Sequence, residues 1–109
     1  MNGYKILKQS LALMGIYSLS EEVKKVGLLV INTVCEDLKI SRLSVLEETL
    51  DCQNQKELIA LTYGIAMHLA LTMSDDYLKD VFERLYSKKR SEIKNSISHV
   101  KNKVFKGEI

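Results

Sequence analysis

The stretch ALTYGIAMHLALTMSDD, residues Ala60 to Asp76, decides the fold. On a helical wheel Leu58, Leu61, Ile65, Leu69 and Met73 share one face, an ordinary core stripe. Ala60, Gly64, Met67 and Leu71 fall together on nearly the opposite side. A helix in a small bundle needs one apolar face; a second marks either a central, surrounded helix or a surface given to a partner. Glycine inside a helix costs roughly 1 kcal/mol relative to alanine, and small residues at 60 and 64 let another backbone come close. Two readings stay open. Either the first helix of the same chain covers this face, or Ala60, Gly64, Met67 and Leu71 form a subunit interface. Gly64→Leu separates them, by lost folding in the first case and lost assembly of a folded monomer in the second.

Working outward, the remaining segments are also helical. Ile6, Leu7, Leu11 and Met14 set a first helix over about Tyr4 to Met14 that stops near Gly15. In SLSEEVKKVGLLVINTVCEDL both Ser18 and Ser20 are placed to cap a second helix, whose stripe runs Val23, Val26, Val30, Val34, Leu38. KISRLSVLEETLDCQNQ has no sustained period and reads as a connector with a short helical turn around Val45 to Leu50. The third helix covers about Gln55 to Met73. Ser74 then caps a fourth with two acidic residues in its first turn, suiting the helix dipole. That helix runs from Asp75 toward Val104 on Leu78, Val81, Phe82, Leu85, Ile93, Ile97, Val100 and Val104.

The fold expected is therefore all-α, a small bundle of about four helices with a long C-terminal helix or arm extending past it. The absence of proline suits long uninterrupted helices. The 109 residues, 46% of them hydrophobic and 28% charged, make one folded domain rather than a disordered chain. Charge divides it: residues 1–87 carry 9 Lys/Arg and 12 Asp/Glu, net −3, and residues 88–109 carry 7 and 2, net +5. The body is thus 1–87 and the basic arm 88–109. Apolar residues at spacings of 4, 3 and 4 from Ile93 to Val104 fit the arm to dock on something. No apolar run reaches the roughly 18 residues a bilayer crossing needs, so neither membrane insertion nor export is expected. Cys35 and Cys52, without C-x-x-C spacing, read as buried reduced thiols of a cytosolic protein.

Catalytic chemistry finds little foothold. His68 and His99 stand alone, without the paired spacing of a zinc site. No phosphate-cradling glycine loop or nucleophile elbow occurs. Asp75 with Asp76 and Glu47 with Glu48 read as helix-start or surface carboxylates. No enzyme activity, metal or cofactor is expected.

Nucleic acid is the other candidate partner. CEDLKISRLSVLEE is similar to a helix-turn-helix, with Cys35 in the first helix, Ile40 after the turn and Val45 inward in the second. Lys39 stands where glycine is usual, and Glu47, Glu48 and Asp51 would repel phosphates around the single Arg42. Lys88, Lys89, Arg90, Lys94, Lys101, Lys103 and Lys106 in the arm could contact a DNA backbone or an acidic protein surface. Phe105 is the arm's one aromatic, which argues against single-strand stacking.

One family resemblance covers most of the chain. It rests on Leu61, Tyr63, Gly64, Ile65, Ala66, Leu69 and Ala70 in LTYGIAMHLA, then Asp75, Phe82, Leu85, Tyr86 and the basic SKKR of Ser87 to Arg90. In these the chain resembles the small all-helical head-to-tail connector (adaptor, or head-completion) proteins of tailed bacteriophages. Where that family usually has proline before the tyrosine, Thr62 stands here. The resemblance implies a structural virion protein made in the host cytoplasm. Copies would form a ring beneath the portal, line the exit channel for DNA passing without sequence reading, and present a platform to a tail-side connector protein. The rival reading is a small helix-turn-helix regulator; a helical antitoxin-like interaction module is a third.

Overall fold

A computed structural model of the chain describes the backbone of residues 1–108 and the side chains of residues 1–94. Four helices follow one another: α1 (Gly3–Leu13), α2 (Glu21–Leu38), α3 (Gln55–Thr72) and α4 (Asp76–Glu108). Among the described residues there is no strand, only an isolated bridge between Asn2 and Thr49.

Each start is fixed by a short polar side chain that takes an otherwise orphan backbone N–H. Asn2 Oδ1 accepts from Lys5 N at 2.9 Å, Ser20 Oγ from Val23 N at 3.2 Å, and Asn54 Oδ1 from Glu57 N at 3.0 Å. The fourth cap is Asp75, whose Oδ1 accepts from Leu78 N at 3.1 Å. Ser74, expected in that role, instead closes α3 in the left-handed region at φ 59°. Its N–H reaches Leu71 O at 3.1 Å and that of Asp75 reaches Ala70 O at 2.9 Å, a paired C-terminal closure. Gly15 (φ 80°) ends α1 and Lys39 (φ 63°) ends α2 in the same way.

α3 is the hub, touching α1, α2 and α4, with α2 and α4 running antiparallel to it. Ala60, Leu61, Thr62, Gly64, Ile65, Ala66, Leu69 and Ala70 are all buried, most of the way round its circumference. That is the central helix the two apolar faces allowed for. The cover over Gly64 is not α1, however. A Cβ at Gly64 would lie 2.6 Å from Val34 Cγ1 of α2 and 2.9 Å from Tyr86 Cε1 of α4. α1 instead crosses at Thr62, where buried Ser10 Oγ donates to Thr62 O at 3.3 Å and to its own Ile6 O at 2.8 Å.

The connector of residues 39–54 holds no helix, in place of the turn of helix expected at Val45 to Leu50. Ile40, Leu43, Leu46 and Leu50 do point into the core, at spacings that imitate a helix. Buried Asn32 overrides the imitation by gripping Leu43 at both ends: its Nδ2 donates to Leu43 O at 2.8 Å and its Oδ1 accepts from Leu43 N at 2.7 Å. Backbone bonds Tyr4 N to Leu46 O and Leu50 N to Met1 O then tie the strap to the N-terminus. Without a helix after Lys39 there is no recognition helix, so the helix-turn-helix reading of CEDLKISRLSVLEE is corrected.

Packing of α4 continues beyond residue 87. Tyr86 is buried, Arg90 is half-buried and Ile93 lies against the core. The expected overhang of the basic arm falls on residues 95–109, whose side chains lie outside the described ones.

Candidate interaction site

The face proposed for subunit contact divides along its length. Ala60 and Gly64 are enclosed by their own chain, Met67 is half-buried and Leu71 is 56% exposed. The close approach that glycine permits is thus made by Val34 and Tyr86 of the same molecule. Only the C-terminal end of this face is left open to a partner.

Directly over Gly64, α2 and α4 are joined by a polar staple that no sequence spacing announces. The Tyr86 hydroxyl donates a hydrogen bond to Asp37 Oδ2, and Arg90 Nε lies 2.8 Å from the same oxygen as an ion pair. The Arg90 N–H is not directed along that contact, so the pair is held by charge rather than by an aligned bond. Burial, reinforced by the bond to Asp37, pushes the Tyr86 phenol well above its usual range, with Arg90 pulling the other way. A phenol held protonated is a hydrogen-bond donor, neither base nor nucleophile. Burial lowers His68, with Asp37 opposing. Cys35 is pushed up to about 11 by burial and then by Cys52. Cys52 is itself raised, by burial first and then by Glu57 and Asp51. Both thiols therefore stay protonated near neutral pH and lack the thiolate that reactivity requires.

Of the basic residues singled out, Lys88 and Lys94 are exposed, Lys89 pairs with Glu92 at 3.2 Å, and Arg90 is given over to Asp37. Lys101, Lys103 and Lys106 lie outside the described side chains. Among the described residues no group of three or more His, Cys, Asp and Glu stands close enough to hold a metal ion. None of the helices, over the described residues, is long and apolar enough to cross a membrane.

An open cleft of about 350 Å³ lies where the start of α2 meets the end of α3, lined by Ser20, Glu22, Val23, Val26, Leu69, Thr72 and Met73. Its floor is apolar although it faces solvent, and no residue of α1 reaches it. Met73, expected in the core stripe, is 40% exposed at its edge. Comparison with family models, curated proteins and solved structures finds no match for the chain.

Proposed function

We propose that this chain is a structural virion protein, a head-to-tail connector whose copies form a ring under the portal of a tailed bacteriophage. The observation that carries the reading is the pairing of a central glycine helix with a long following helix: LTYGIAMHLA, a tight turn at Ser74, then Phe82, Leu85, Tyr86 and SKKR in α4. The order of helices is the one the resemblance implies, and the contacts at Gly64 serve packing. In this reading the exposed lysines of residues 88–109 meet the portal or the DNA backbone, while Arg90 and Ile93 stay packed on the bundle. The protein then needs no cofactor and has no enzyme activity. Its place is the virion, after a period in the host cytoplasm.

Co-purification with the portal protein of the same genetic element tests this. Full-length chain is retained by portal, and a chain ending at Lys94, which keeps the Arg90 and Ile93 contacts, folds but is lost in the wash. Equal retention of both overturns the role given to the arm; retention of neither overturns the connector reading.

A further inference from the structure

The cleft between α2 and α3 is an apolar surface at the end of the molecule from which α4 departs. Val23 and Val26 line it from α2, Leu69 and Met73 from α3. Its surroundings are acidic: Glu22 in the wall, Glu21 beside it in the first turn of α2, and Asp75 and Asp76 just past Met73. The cations of this end are Lys24, Lys25 and Lys79. Lys24 is held by Glu21 at 3.1 Å and Lys79 by Glu83 at 2.8 Å.

A complementary element exists in the same sequence. Past the stretch that packs on its own bundle, residues 94–109 carry 4 Lys/Arg against 1 Asp/Glu, and Ile97, Val100 and Val104 recur at helical spacing among them. That stripe is apolar where the cleft floor is apolar, and its lysines suit the carboxylates around the rim. On its own chain the described part of α4 leads away from this cleft. α4 starts beside it at Asp76 and runs away antiparallel to α3, so Ile93 is about 26 Å from the start of α4 at 1.5 Å per residue.

We infer that the α2–α3 cleft receives the basic C-terminal arm of a second copy of this chain. Because donor and acceptor are different surfaces of the chain, the contact is heterologous, and repetition yields a ring where the rotation closes. The inference deepens the connector reading by naming what joins neighbouring subunits. Its test contains no portal, so its failure is distinguishable from failure of that reading.

The experiment is native mass spectrometry and sedimentation of the purified full-length chain at low and high salt. Wild type associates, less so as salt rises. Met73→Glu in the cleft and Ile97→Glu in the arm each reduce self-association at least about tenfold by placing a charge in an apolar contact. Mixed in equal amounts, the two variants form a two-chain species and nothing larger, since one supplies an intact arm and the other an intact cleft. Thr72→Arg, at an exposed cleft position, repeats the block by repelling the arm should Met73→Glu lose its helical circular dichroism. A wild-type chain that stays single, variants that associate as wild type does, or a mixture that remains monomeric each overturns the inference.

Discussion

Gly64 is held between two stiff neighbours, and the side chains that meet there define the molecule's tightest point. A methyl group would sit 2.6 Å from Val34 Cγ1 and 2.9 Å from a ring carbon of Tyr86. Valine has little rotamer freedom in a helix and the ring cannot bend, so the backbones must part. Gly64→Ala gains about 1 kcal/mol in helix propensity but incurs overpacking of roughly 1–3 kcal/mol. We expect a net loss and a melting temperature lower by several degrees. Gly64→Leu leaves no folded monomer, readable by circular dichroism. Beside it, Tyr86→Phe removes a hydrogen bond to a carboxylate and costs about 1 kcal/mol, at the low end because Asp37 is partly exposed.

The same neighbourhood fixes a pH dependence. Below about pH 9 the Cys35 thiol is protonated in the folded and unfolded chain alike, and its burial carries no ionisation cost. Between pH 9.0 and about 11 the unfolded chain sheds that proton while the folded one keeps it, so stability falls as pH rises through this window. Tyr86, also raised, adds to the loss above the ordinary tyrosine value of about 10. Urea unfolding across this range should show the decline in wild type, and a shallower one in Cys35→Ala after its cavity cost is subtracted at pH 7.

At the scale of elements, the helices were legible in the sequence and their ends were only partly so. Period and caps place α1, α2 and α3 within a residue or two, because Ser20 and the apolar stripes point the same way. Three helix ends use one left-handed closure, yet only Gly15 among them is the residue type that announces it; Lys39 and Ser74 adopt it without that signal. Lys39→Gly should therefore stabilise by about 0.5–1 kcal/mol by relieving the strain of a side chain at φ 63°. The strap after it, read as a connector, differs only in the short helical turn expected at Val45 to Leu50, which does not form. A buried amide eleven residues upstream of Leu43 holds both backbone groups of that residue instead. Asn32→Leu leaves both backbone groups of Leu43 unpaired, costing roughly 2–4 kcal/mol, and limited proteolysis should cut first between residues 39 and 54.

For the whole molecule, the second apolar face of α3 had two meanings that only tertiary packing could separate. Most of it turned inward, under α2 and α4, because Tyr86 and Asp37, 49 residues apart, clasp above Gly64. What was left outside is an open apolar cleft where the start of α2 meets the end of α3. The cleft does not follow from periodicity, since it exists only where α1 fails to cover α3. The proposed assembly into a virion is tested most directly by an immunoblot for this chain across a fractionated lysate of cells carrying the parent element. Signal in intact, DNA-filled particles, at a fixed ratio to portal set by a closed ring, is the result predicted. Signal confined to the soluble fraction, with particles free of the chain, contradicts it.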